Sequence, residues 1–226
     1  MKKIFELINK NLEASALFHM FPRKDTSPEP PLITISREKG SGGRPIAYLI
    51  AKALGKPWNV FHQNIVDDIA KESDLKRELV EEVDEKEISF AEQMVDSIMG
   101  KNYMNLSSYY KHLINVLAAI GHHGYAIIIG RGANFLFPNA LKVRLIAEME
   151  YRIKGVMKYE KVTRKEAIRL IESSDEKRAN FTRSLFLHNP VKAHHYDLVI
   201  RTGEHLSCDD AADIILFAAK KRFNIK

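Results

Sequence analysis

Apolar positions change period several times along this chain, and each change marks an element. Ile4, Phe5, Ile8, Leu12 and Phe18 form roughly one helical stripe in residues 1–20. Pro22, Pro28, Pro30 and Pro31 then crowd a short stretch and predict an extended linker, because proline lacks an N–H and clashes inside a helix. LITIS (32–36) is a β-branched run that predicts a strand. Ile46, Leu49, Ile50, Ala53 and Leu54 recur at helical spacing, with Pro45 suited to the first helical position and Gly55 to the stop. PWNVF (57–61) predicts a second strand.

Residues 64–100 read as exposed helices with a loop near 83–89. Leu113, Val116, Leu117 and Ile120 restore a helical stripe that ends at Gly121. YAIIIG (125–130) is apolar throughout, as expected of a strand buried on both faces of a parallel sheet. LKVRLIA (141–147) is a further strand, and a helix follows from about Met149. Thr163 with Glu166 predicts a capping box for the next helix. HYDLVIRT (195–202) reads as the last strand, and Ser207 with Asp210 caps a final helix through Ala218. Strands alternating with helices predict a parallel α/β sheet flanked by helices.

Composition narrows the classes. The 226 residues suit one domain with an appendage, and 45% hydrophobic with 28% charged residues is ordinary globular usage. No apolar run approaches the roughly 20 residues of a membrane span. Glu6, Asn9 and Asn11 interrupt any signal-peptide core, so the expected location is cytoplasmic. Cys208 is the single cysteine, which excludes an intrachain disulfide. The net charge of +6 favours anionic ligands. It is unevenly spread: residues 64–100 hold 12 acids against 4 bases, and residues 142–183 hold 12 bases against 7 acids.

Three places carry candidate chemistry. In REKGSGGRPIA, glycines lie between the first strand and the first helix, where backbone N–H groups and the helix N-terminus can hold phosphate. Gly40, Gly42 and Gly43 do not give the dinucleotide spacing and come nearer to a P-loop. In that alignment Arg37 takes the first glycine position, Gly43 takes the lysine position, and Arg44 is the nearest cation. In IIIGRGANFLFPNA, Arg131 follows a buried strand at the carboxyl edge, where open α/β sheets bind ligands. The basic stretch 142–183 is either a solvated helical face or a lid that brings arginines to polyphosphate. His188, His194 and His195 lack the cysteine or carboxylate spacing of a metal site, and no metal ligand is assigned.

Taken in order, these segments resemble the cytidylate-kinase-like family of P-loop kinases over roughly residues 32–217. ITISREKGSGGRPIA resembles the family's opening signature, VDEKEISF its acidic loop, and GRGANFLFP the turn after its third strand. SSDEKRANF resembles its D-x-x-R element, carried by Asp175 and Arg178, and HYDLVIRT with LSCDDAADII its last strand and helix. The resemblance implies a five-stranded parallel sheet in a domain over 32–226, with a helical acceptor-binding insert at about 62–121 and a lid at about 152–183. Residues 1–31 would then be an add-on arm and linker, docked or used for self-association as a homo-oligomer. The implied reaction moves the γ-phosphate of ATP to a nucleoside monophosphate such as CMP, with Mg²⁺.

By that resemblance Arg37, Gly40, Ser41, Gly42, Gly43 and Arg44 hold the donor phosphates. Arg131 and Arg183 bind the acceptor, with Arg183 also a candidate lid cation. Arg44, Arg152 and Arg178 serve catalysis, with Asp175 orienting Arg178 or helping to place the metal shell. The sequence departs from the pattern in several places. The P-loop lysine and its following Ser/Thr are absent, with Ser41 and Ser36 as the nearest hydroxyls. Phe61-His62 stands where the family tends to have Tyr-Asp, Gly132 replaces an acid that helps read cytosine, and Asn134 replaces the acid of GR-x-AD. A nucleotide-binding regulator with weak catalysis is therefore the alternative. A nucleic-acid binder using the basic stretch is a third class, and the lack of a basic aromatic strand motif counts against it.

Overall fold

The computed structural model describes residues 30–62 and 108–225. The helical stripe of residues 1–20, most of the proline linker and the acidic stretch 64–100 with VDEKEISF lie outside the described residues. β1 (Leu32–Arg37), β2 (Asn59–His62), β3 (Ala126–Ile129), β4 (Leu141–Ala147) and β5 (Leu198–Thr202) form one parallel sheet in the order β2-β3-β1-β4-β5. The chain leaves β1 toward one edge of the sheet and β4 toward the other. That divergence opens a crevice beyond their carboxyl ends.

Strand alternation sends side chains to two cores. On one face Ile33, Ile35, Ile127, Ile129, Val143 and Leu145 pack against α1 (Gly43–Leu54) and α6 (Cys208–Phe223) through Ile46, Ile50, Ala211 and Ile215. On the other, Leu32, Ala126 and Ile128 meet Leu113, Ile114 and Leu117 of α2 (Ser108–His123), Leu136 of α3 (Ala133–Leu136), and Phe186. Each fully buried isoleucine or leucine stabilises by roughly 1.5–3 kcal/mol relative to exposure. Trp58 packs edge-on to Tyr125, with ring centroids 5.9 Å apart, and joins the first core.

α4 (Met149–Glu160) and α5 (Arg164–Phe186) form a pair with a small core of their own: Ile153, Val156, Ala167 and Ile171. The charged majority of their side chains faces outward. Arg164 grips Glu150 with both ends of its guanidinium at 2.5 and 2.8 Å, which pins the start of α5 to α4. The far end of α5 delivers Leu185 and Phe186 to the sheet's second core, so the helix connects the basic region to the body of the domain.

Several boundaries differ from the periodicity reading. α1 starts at Gly43, so Pro45 sits inside the first turn rather than opening it. α2 continues through Gly121 to His123, and Gly124, with φ 71°, ends it. Gly121 is there because the Phe137 ring lies where its Cβ would be, a tertiary demand that local sequence cannot show. Thr163 accepts a hydrogen bond from the Glu166 N–H at 3.3 Å, but the Glu166 carboxylate turns to Arg169 instead of closing a capping box. Ser207 and Asp210 do make a reciprocal box, and α6 runs past Ala218 to Phe223. His195 belongs to a single 3-10 turn, Ala193–His195, ahead of β5.

Candidate functional site

The glycine-rich turn is clamped before it reaches α1. The Glu38 N–H donates to the Leu145 carbonyl at 3.0 Å, which ties the turn to β4. Ser41 is fully buried, and its hydroxyl donates to the carbonyls of Glu38 at 2.9 Å and Leu145 at 3.3 Å. The Thr202 hydroxyl donates to the Ser41 carbonyl at 3.1 Å, which ties the turn to β5 as well. The Ser41 side chain is thus a structural anchor. Gly42 caps α1 at φ 83°, where a side chain is strained, and a Cβ there would lie 2.5 Å from Cys208 Sγ. Gly40 lies against the Arg152 backbone and Gly43 against the Arg37 methylenes. The first N–H groups of α1, those of Gly43 and Arg44, have no carbonyl within the helix to bond and carry partial positive charge.

Beside this turn four arginines converge from separate elements. Arg37 ends β1 and is half-buried, and its side chain fills the space where a Cβ on Gly130 would be. Burial pushes its pKa down to about 9, and the charges of Arg178, Arg131 and Arg44 push the same way, with Asp175 the opposing influence. Arg131 follows β3 with φ 55°, a left-handed conformation that turns its side chain over the Phe181 ring at 5.1 Å. Arg178 donates to Asp175 Oδ1 at 3.0 Å while its buried Nε has no hydrogen-bond partner. Burial is the main reason its pKa is lowered, partly offset by Asp175. Arg44 is exposed on the first turn of α1.

Asp175 organises this cluster. Its carboxylate accepts from Arg178, from the Lys39 N–H at 2.8 Å, and from Arg152 Nη2. Arg152 is buried and engaged on every side, donating from Nε to the Lys39 carbonyl at 2.8 Å and from Nη1 to Glu38 at 3.3 Å. It therefore works as a strut between α4, α5 and the turn. Glu38 and Lys39, which the motif reading passed over, complete that strut. Their signal was the charged pair directly after the first strand, which has to fold back over β4. Arg183 lies elsewhere: it is exposed and donates to Asn180 Oδ1 at 3.4 Å, outside the cluster.

Two conflicting demands meet here. Arg37, Arg131 and Arg178 crowd together in a partly desolvated crevice, with Asp175 offsetting the charge of Arg37 and Arg178, an arrangement that like-charge repulsion opposes. An anion with several oxygens would relieve it, because guanidinium forks match phosphate geometry. Among the described residues no group of histidine, cysteine, aspartate or glutamate is placed to hold a metal ion. Cys208 has its thiol pKa raised, first by burial and then by Asp209, so it is a filler between α1 and α6 rather than a nucleophile. No described helix is long and apolar enough to cross a membrane.

Comparison with known proteins agrees with this architecture. An uncharacterized protein from Eubacterium ventriosum is similar at TM-score 0.64 and 22% identity, over 84% of this chain and 98% of that one. The protein TT1252 from Thermus thermophilus aligns over 84% of this chain and 98% of its own, at 16% identity and TM-score 0.45. Among proteins with curated descriptions none matches the chain. The model of the cytidylate kinase-like family matches residues 32–204, which spans all five strands, the glycine-rich turn and the arginine cluster. By that match the chain belongs to the cytidylate kinase-like family.

Proposed function

We propose that this protein is an ATP-dependent phosphotransferase that moves a phosphoryl group to a nucleoside monophosphate such as CMP or to a related small acceptor. The observation that carries this reading is Arg37. It is a half-buried guanidinium with no ion pair among the described residues, surrounded by the charges of Arg178, Arg131 and Arg44. A polyphosphate is the ligand class that such a site accommodates. The turn from Gly40 to Arg44, with Arg37, would hold the donor phosphates. Arg131, on a rigid post-strand turn, would hold the acceptor phosphate, and Arg178, oriented by Asp175, would answer the charge that develops during transfer. Mg²⁺ supplies charge neutralisation in such reactions, and here it would enter with the polyphosphate, since the Ser41 hydroxyl is engaged by two carbonyls.

A second reading, a nucleotide-binding protein with weak catalysis, is favoured by the occupied Ser41 hydroxyl and by Gly43 at the lysine position. Removing one preorganised charge-stabilising donor commonly lowers rates by about 10²–10³. We therefore expect measurable ATP binding with slow transfer to CMP. A coupled ADP-release assay with Mg-ATP and CMP, dCMP, UMP or AMP tests both readings. Acceptor-dependent ADP release that falls in Arg44→Ala and partly returns in Arg44→Lys supports the transferase. ATP binding with no acceptor-dependent release supports the second reading, and absence of ATP binding refutes both.

A further inference from the structure

The sheet face that α2 and α3 cover is not uniformly apolar. Register places Thr34 of β1 beside Lys142 of β4, and Ser36 beside Arg144. Arg144 is buried, donates from Nη1 to Ser36 Oγ at 3.3 Å, stacks 5.6 Å over the Tyr196 ring, and has no carboxylate partner among the described residues. From this track Lys142 opens into a cleft of about 320 Å³ bounded by Asn134, Phe135, His188, His194 and His195. None of these residues belongs to the arginine cluster, so the cleft is a separate place in the molecule.

Its lining is rich in donors, an amide, an ammonium and three imidazoles, beside a single carboxylate, Asp197. Asn134 is only 6% exposed, and its buried Nδ2 has no hydrogen-bond partner. Buried amides are ordinarily satisfied, so an orphaned N–H group on a cleft wall points to something bound there. His194 and His195 have ring centroids 4.3 Å apart, His188 and His195 4.9 Å, and His188 stacks on Phe135 at 4.8 Å. Burial lowers the His195 pKa first, and His194, His188, Lys192 and Lys142 lower it further. The carboxylate on the cleft wall, Asp197, is turned to other work: Oδ2 accepts from the Lys142 N–H at 2.8 Å and pairs with Arg222 at 3.4 Å. Three imidazoles invite a metal reading, but they are not placed to converge on an ion, and an ammonium and an amide donor repel a cation.

We propose that this cleft is a second anion-binding site, built to take a compact ligand through a phosphate or carboxylate oxyanion held by Asn134 Nδ2, Lys142 Nζ and the His188–His195 imidazoles. Its volume lies at the lower end of small-molecule sites, roughly 300–1,000 Å³. An anion there satisfies the orphaned amide and supplies the missing counter-charge. It also stabilises the imidazolium form, so occupancy raises the His195 pKa. The groups around that ring are His188, His194, Lys142, Lys192 and Tyr196, and Asp197 lies on the same cleft wall with its Oδ2 engaged by the Lys142 N–H and by Arg222.

The test is an NMR titration of the full chain near pH 7, following the ring signals of His188, His194 and His195. Inorganic phosphate is the probe in one arm and acetate in the other. A saturable shift with either supports the site, and the tighter of the two identifies the headgroup. Asn134→Asp, which puts a negative charge where Nδ2 sits, and Lys142→Gln should each weaken binding at least about tenfold by the loss of a charge-assisted contact. His188→Gln, at an exposed position, keeps the test decisive if the buried Asn134 variant fails to fold. Arg178→Ala should leave the histidine response intact. Non-saturating drift, unchanged affinity in folded Lys142→Gln and His188→Gln, or loss of the response in Arg178→Ala each overturns the proposal.

Discussion

Arg37→Met is the sharpest test of the arginine cluster, because it should make the ligand-free protein more stable and the liganded protein less so. The guanidinium is held down at about 9, far below the ordinary arginine range, since burial and three neighbouring arginines oppose its charge. At about 1.4 kcal/mol per tenfold, that sets a ceiling of roughly 4–5 kcal/mol on what the charged form costs the fold. The residue as a whole keeps intermediate exposure, and discounting for solvent screening leaves about 2 kcal/mol as the working figure. Methionine keeps the methylene packing against Gly43 and discards the charge. With roughly 2–4 °C of Tm per kcal/mol in a chain of this size, Arg37→Met should melt about 4–8 °C higher without ligand. The sign with pH follows from linkage. Between about pH 9 and 12 the folded native protein binds fewer protons than the unfolded chain, so native stability rises there and its deficit against the variant narrows; below pH 9 the deficit is full. ATP at about 100 times its Kd stabilises by about 2.7 kcal/mol, and the variant should lose most of that gain. Paired melting curves with and without Mg-ATP, at pH 7.5 and 10, read all of this. A variant that melts at or below the native protein without ligand, or that keeps the full ATP-dependent rise, would refute the argument.

Two further substitutions separate roles within the site. Arg131→Ala should mainly raise the acceptor KM, because its post-strand turn is rigid, whereas Arg178→Ala should mainly lower kcat; steady-state kinetics showing identical losses would count against separate roles. A side chain at Gly42 acts first on packing, since a Cβ there lies 2.5 Å from Cys208 Sγ at φ 83°. Gly42→Ala should lower stability by about 1–3 kcal/mol in chemical denaturation, and adding Cys208→Ala should recover part of that loss, whereas purely additive losses would show that the contact is unimportant.

What the sequence determined by itself was whatever depends on near neighbours in the chain. The run YAIIIG announces a parallel strand buried on both faces because it is apolar throughout, and LITIS and LKVRLIA announce strands by their β-branched and apolar content. The reciprocal box of Ser207 and Asp210 is local chemistry, three residues apart, and was readable for that reason. The glycine-rich turn was readable from strand and helix signals on either side. The tertiary structure decided what long-range contact controls. Arg152 and Arg178 look alike in a basic helical stretch, yet one is locked by Glu38, Asp175 and the Lys39 carbonyl while the other keeps an orphaned Nε. Arg183 shares their helix pair but points away, because its position on the turn of α5 differs from that of Arg178. Gly121 reads as a helix stop until the Phe137 ring is seen against it. His188, His194 and His195 carry no motif at all, and they share a cleft only because the end of α5 folds back beside a 3-10 turn and the start of β4. Hydrophobic period reports which face is buried, whereas the identity of the atoms that meet across that face is set by register and helix docking, which no local window contains.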